Sequence, residues 1–374
     1  MFFSYQTVKV EMKKGYRKLF LLCFVCFLGI RPIWAAPALE MPYFDPYKKD
    51  FQMIAVDLKW QDKKLSIYVD EANETIWRES FYEELALKVK DTYMKSYESY
   101  FSKAEVSGVD HLKIIFTEAL AGGENATHFQ AYYTPLYMKQ FGFEAVLVNP
   151  RGLVLNEIAH SICHELFHLY YYRKFETPAS WINEGLAQLF AYLISDDLPQ
   201  SGVNSYFKSP DAALENFEGG QSKYYGNSFL FFYFLYLHYL KPEDLYMLIS
   251  VDHPKKLFPE NWQLVLKEFS VAKLLNMIYV HPNQHYALQG VQGNVLADAM
   301  PPENFEISPM QSVYVIGNAQ NKAWVQKQYL LALQADLPSE IIFVRMPKFD
   351  FPEIRGDVDS ASMETPYIII LNTY

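Results

Sequence analysis

Cys163–Tyr172 reads CHELFHLYYY. It sets His-Glu-x-x-His inside an apolar, aromatic run. On a helix, residues i and i+4 share a face, about 6 Å apart along the axis. His164 and His168 can therefore offer ring nitrogens to one metal ion. Glu165 then projects beside that face, where a water on the metal would sit. The same stretch also describes a buried helix whose two histidines find backbone or water partners. The rest of the chain has to separate these readings.

A catalytic zinc takes three protein ligands and keeps one position open. WINEGLAQ (181–188) supplies Glu184 as the third, with 15 residues between it and His168. That gap lets one helix finish, a turn follow and a second helix pack against the first. Glu184 is flanked by Trp181, Ile182, Leu186 and Ala187. A lone carboxylate in such a segment is expensive unless it is paired or bound to metal. Its plainer alternative is a carboxylate near a helix N-terminus, favoured by the helix dipole.

Around these motifs the periodicities divide the chain. KLSIYVD (64–70), HLKIIFT (111–117), FQAYYTP (129–135) and EAVLVNP (144–150) read as strands, with a long amphipathic helix over 74–101 between the first two. Residues 37–60 show only weak alternation. From Leu155 the pattern turns helical, over 155–174, 177–194 (with Thr177-Pro178 as its start), 222–240, 242–250 and 261–278. The segment 281–305 is polar and reads as a boundary. SVYVIG, EIIFVRM and PYIIILN then suggest a small β-sandwich-like tail. The expected class is α+β: a sheet subdomain over 36–150, a helical metal-binding subdomain over 151–300 and a β-rich domain over 303–374.

The N-terminus reads as a secretory signal over 1–35. A basic stretch, KKGYRK (13–18), precedes the apolar LFLLCFVCFLGI (19–30) and a small-residue end at Ala35-Ala36, with Met12 a possible start. An uncleaved membrane anchor is the alternative, although the apolar run is short for a span. Removal of 1–35 takes Cys23 and Cys26 and leaves Cys163 alone, so the expected mature chain forms no internal disulfide. It also leaves 27 basic and 42 acidic residues, a net charge near −15. That balance argues against nucleic acid or an anionic membrane as partner. The expected location is secreted or periplasmic, and the 51% hydrophobic content bespeaks a globular body.

His-Glu-x-x-His followed by Trp-x-Asn-Glu-Gly-Leu-Ala resembles the gluzincin zinc metallopeptidases, and most of all their peptidase MA-like group. The likeness covers about residues 155–240. It implies a thermolysin-like catalytic domain in which the edge strand of a sheet binds substrate beside an active-site helix and a ligand helix. It implies one Zn2+ held by His164, His168 and Glu184, with Glu165 as general base for peptide hydrolysis. The family's Tyr-x-x-Ser/Gly pattern matches Tyr225-Gly226-Asn227-Ser228, which makes Tyr225 the expected oxyanion donor, with Tyr224 the neighbour that can replace it.

Other residues read more plainly. Positions 160, 164 and 168 span about 12 Å of helix, so one ion cannot take all three, and His160 is a packing or cleft-wall residue. Gln188, one turn after Glu184, either orients a ligating histidine or is an ordinary polar position. Cys163 reads as a small buried hydrophobe. His238, His253, His281 and His285 show no usable pattern. AGGEN (121–125) keeps only the Glu124-Asn125 of the amine-binding segment of aminopeptidases resembling aminopeptidase N, so it reads as a Gly-rich connection. An endopeptidase acting on peptides or proteins is therefore the expectation. An aminopeptidase and a non-cleaving metallopeptidase-like binding protein are the alternatives.

Overall fold

The computed structural model describes residues 39–72, 77–121, 130–151, 153–277, 287–288, 291, 309–316, 319–334, 339–345 and 367–373. The leader over 1–35, Glu124-Asn125 and most of the boundary at 281–305 lie outside them. Among the described residues no helix is long and apolar enough to cross a membrane.

The chain is a mixed α+β protein. Strands β1 (Leu39–Asp45), β2 (Asp50–Gln61), β3 (Leu65–Asp70), β4 (Leu112–Phe116), β5 (Ala131–Tyr133) and β6 (Glu144–Val148) form one sheet in the order β1-β2-β3-β4-β6-β5. The centre, β3-β4-β6, is parallel, and both edges are antiparallel. Parallel strands are covered on both faces, and the residues of these three alternate accordingly. Leu65, Ile67, Val69, Ile114, Phe116, Val146 and Val148 face the main core. Tyr68, Ile115, Ala145 and Leu147 face a smaller one with Phe44 and Tyr137. Short helix α2 (Leu136–Phe141) closes that second face, and the Tyr137 hydroxyl ties it to β1 by accepting from Phe44 N–H and donating to Pro42 O, each at 3.0 Å.

Helix α1 is continuous over Glu79–Lys88, a π-helical Val89–Met94 and Lys95–Lys103. It stacks Tyr97 and Phe101 on the metal-motif helix α3 (Leu155–Lys174). Helix α3 has no Gly or Pro. Its first turn is capped by Glu157, which accepts from Val154 N–H at 2.9 Å, and Arg173 and Lys174 complement the dipole at its end. Helix α4 (Ser180–Ser195) begins later than the sequence suggested, because Ala179 is still extended and Thr177-Pro178 precede it. Helix α5 (Gln200–Lys208) had no clear sequence signal, and α6 (Ser222–His238) follows it. Pro242–Met247 is a 3-10 turn rather than an α-helix, and α7 (Trp262–Met277) completes the helical part.

Two glycines let α6 come close. An added Cβ at Gly185 of α4 would lie 2.6 Å from the Phe232 ring, and one at Gly226 would lie 2.1 Å from Gly202 O of α5. The second clash is with backbone and cannot relax by rotation. Gly226→Ala is expected to destabilise the fold by about 3 kcal/mol, read from urea unfolding. An unchanged midpoint would contradict this packing.

Lys273 of α7 is buried against the Phe269 and Tyr206 rings, with Nζ donating to Asn227 Oδ1 at 3.2 Å. Burial pushes its pKa down to about 7 from 10.5. The unfolded chain therefore binds more protons than the folded one between these values, so this group makes stability rise with pH across that window, and its full cost is present below it. Lys273→Met is expected to raise stability at pH 7 by about 1 kcal/mol or more and to flatten the rise. Parallel pH profiles for the two proteins would refute this.

The C-terminal part is a three-stranded antiparallel sheet, β7 (Ser312–Ile316), β9 (Tyr367–Thr373) and β8 (Ser339–Arg345) in that order, with helix α8 (Ala319–Gln334) between β7 and β8. The β-sandwich-like tail expected from sequence is thus corrected. A run free of Gly and Pro, AQNKAWVQKQYLLALQ, forms a helix on a single sheet. Ser270–Ser312 (2.7 Å) and Tyr314–Ser270 (3.1 Å) hydrogen bonds join β7 to α7.

Candidate metal centre

Helices α3 and α4 are antiparallel neighbours linked by a short turn, which is what brings the two motifs together. His164 Nε2 lies 3.1 Å from Glu184 Oε2 and 3.1 Å from His168 Nε2, and His168 Nε2 lies 3.5 Å from Glu184 Oε2. Ligands about 2.1 Å from one tetrahedral ion stand about 3.4 Å apart. The triangle therefore matches a single ion with little movement. Among the described residues, these three form the group whose donor atoms all lie within 4.8 Å of one another, so the group can hold a metal ion.

Protonation supports the same conclusion. His168 Nδ1 donates to Asn183 Oδ1 at 2.9 Å, which in the neutral ring leaves the lone pair on Nε2, facing the triangle. Burial disfavours the charged ring of His168, but the Glu184 carboxylate outweighs it and pushes the pKa up to about 9. Burial also acts against the Glu184 charge, and the two histidines overcome it and hold that carboxyl far below its usual range. The pocket thus asks for positive charge at its centre. Asn183 was not singled out from sequence, since an Asn beside a Glu is unremarkable until the helices are paired.

Glu165 lines the same cleft and is buried. Burial raises its pKa, against the opposing pull of His168 and His164. Its Oε2 accepts from the backbone N–H of Tyr133 at 2.8 Å, so the edge strand β5 fixes the carboxylate. A second tie holds that strand. The Tyr133 hydroxyl donates to Glu144 Oε2 at 3.0 Å, and Glu144 Oε1 pairs with Arg173 Nη2 at 2.9 Å at the far end of α3.

Tyr225 also lines the cleft. Its ring meets Phe217 edge-on at 5.0 Å, and the backbone of Gly220 hydrogen-bonds its hydroxyl. Burial, then the charges of Glu184 and Glu165, raise its pKa, so it stays a protonated donor. Tyr224 is not among the cleft residues and interacts with Glu218 and Phe217 instead. His160 is a cleft-wall residue whose pKa is lowered by burial and by His164, with Asp197 acting the other way. Gln188 lines the cleft too, but its Oε1 is buried without a hydrogen bond and holds neither histidine. Cys163 is buried, and its carbonyl accepts from the Tyr97 hydroxyl at 2.8 Å.

The cleft encloses about 420 Å³ and is bordered by β5 on one side and α3, α4 and the start of α6 on the others. Comparison with known proteins finds no matching family model and no matching curated protein, so the function is argued from the site itself.

Proposed function

We propose that the chain is an exported zinc-dependent metallopeptidase of the gluzincin type, with a thermolysin-like catalytic domain, that hydrolyses internal peptide bonds. The observation that carries the reading is the His164–His168–Glu184 triangle with a buried fourth group, Glu165, beside it on the same cleft. Two imidazoles and one carboxylate suit zinc better than calcium or magnesium, which take oxygen ligands. When bound, zinc acidifies a water molecule and polarises a carbonyl.

The chain's own groups do the rest. With Oε2 held by Tyr133, Glu165 keeps Oε1 to receive the proton of the attacking water and deliver it to the leaving amine. Burial raises its pKa, which favours the uptake of a proton. The Tyr225 hydroxyl, accepting from Gly220, has its own proton to give to the oxyanion. Just beyond the two strand ends Asn149 N–H donates to Gln130 O at 2.8 Å, and Tyr132 stands opposite Leu147 of β6, so in the alternating antiparallel ladder 130 and 132 bond toward β6. Ala131 and Tyr133 therefore turn their backbone groups outward, and apart from the Tyr133 N–H that Glu165 holds, an extended peptide can pair with them as a further strand.

The test is metal content together with cleavage of a peptide library, before and after chelation and after zinc is restored. Zinc-free protein with undiminished cleavage would sink the reading. Blocking the substrate's amino terminus leaves an endopeptidase active and stops an aminopeptidase. Tyr225→Phe is expected to lower kcat about 10- to 100-fold with little change in KM. An unchanged kcat removes Tyr225 from the mechanism.

A further inference from the structure

On the antiparallel helices α3 and α4, His168 meets Asn183, His164 meets Glu184, and His160 meets Ser195. Residues before His164 on α3 therefore lie on the same side as residues after Glu184 on α4, where Gln188 falls between Glu184 and the Ser195 that His160 reaches. His160 and Gln188 occupy these places, and both line the cleft. One turn is about 5.4 Å, within reach of a medium-sized substrate side chain adjoining the bond to be cut.

Hydrogen bonding fixes what this wall presents. Ser195 Oγ gives its single proton to Ala191 O at 2.7 Å, so it accepts from His160 Nδ1–H at 3.0 Å. The neutral ring then carries its lone pair on Nε2, and among the described residues that atom has no hydrogen-bond partner. Gln188 Oε1 is a second acceptor without one. The torsion that turns a glutamine carboxamide is soft, so Gln188 can turn this oxygen toward the cleft it lines. Next to them, Ser161 Oγ lies 3.3 Å from Gln130 Oε1. Among the described residues no Lys or Arg lines the cleft. The wall is polar; it offers His160 Nε2 as an unused acceptor, and Gln188 Oε1 as a second once that carboxamide turns. Unpaired acceptors of this kind are costly in a site that a ligand dehydrates.

Building on the peptidase reading above, we propose that His160 and Gln188 form a specificity subsite for an uncharged, donor-bearing substrate side chain. Its occupant is the carboxamide of Asn or Gln, or the hydroxyl of Ser or Thr. An aliphatic or Phe side chain would strand both acceptors. A carboxylate would bring only further acceptors. A Lys or Arg has donors, but its charge would sit beside the metal, and the cleft's two described carboxylates are already the ligand and the base.

The test uses the zinc-loaded full chain and a library of internally quenched peptides randomised on both sides of the cut bond, with products read by mass spectrometry. The expected result is a preference of about 10-fold or more for Asn, Gln, Ser or Thr over Leu and Phe at one flanking position. In Gln188→Leu and His160→Phe that preference shifts toward apolar residues. A wild-type profile that favours Leu or Phe at both positions overturns the subsite and leaves the peptidase reading standing. Unchanged selectivity in a folded Gln188→Leu does the same. If the zinc-loaded wild type cuts no library member, the peptidase reading fails and the subsite falls with it. The wild-type profile decides the matter even where a variant does not fold.

Discussion

Glu165→Gln is expected to abolish cleavage while leaving the protein folded and loaded with zinc. Gln has the shape of Glu and still offers an oxygen to the Tyr133 N–H that now binds Oε2 at 2.8 Å. The burial that penalises the Glu165 charge is lifted in the neutral variant, so thermal stability is expected to hold or rise. What disappears is the only function a carboxamide cannot perform, taking up a proton. The expected fall in kcat is about 10²- to 10⁴-fold. Three measurements on one preparation check it: kcat on a cleaved peptide, zinc per chain and the thermal midpoint. Cleavage at the wild-type rate would falsify the general-base role. Loss of zinc along with activity would instead show that Glu165 helps to hold the metal.

Glu184→Ala separates metal binding from chemistry in the opposite direction. The variant keeps both histidines but loses the oxygen that lies 3.1 and 3.5 Å from their Nε2 atoms. Two ligands on one helix leave zinc open to water and to chelators. The expected loss of zinc affinity exceeds about 100-fold, the upper range for removing an outer-shell partner. Asn183→Ala supplies the scale, because it removes only the hydrogen bond that orients His168, and its loss is expected at about 10- to 100-fold. Competition with a chromophoric chelator measures all three proteins. Equal affinity in wild type and Glu184→Ala would mean that the triangle is not where the ion binds.

How much of this the sequence revealed varies from element to element. The bounds of α3 agree with the periodicity over 155–174, because its cap, apolar face and basic last turn all act within one segment. Glu184 stood out for a local reason too, as a charge among apolar neighbours. Asn183 and the Tyr133 N–H did not. The first acts only once α3 and α4 lie side by side. The second is a backbone donor whose direction is set by strand pairing, which no side chain advertises. Strand β2 was missed because its DFQMIAVDLKWQ shows both faces partly to solvent, so the two-residue rhythm is blurred. Tyr225 separated from Tyr224 only when α6 was docked, since adjacent helical positions point about 100° apart.

Strand β5 is three residues long and stands at the end of its sheet. An outward-facing row of backbone groups is also a template on which a second molecule of the same protein can nucleate aggregates, and short edges are one way that proteins limit this. Here the opening is restricted further, because the Glu165 carboxylate already takes the Tyr133 amide. Any variant that lengthens β5 to grip substrate more firmly would therefore extend the same template. Improved affinity gained that way is expected to come with poorer solubility at high concentration.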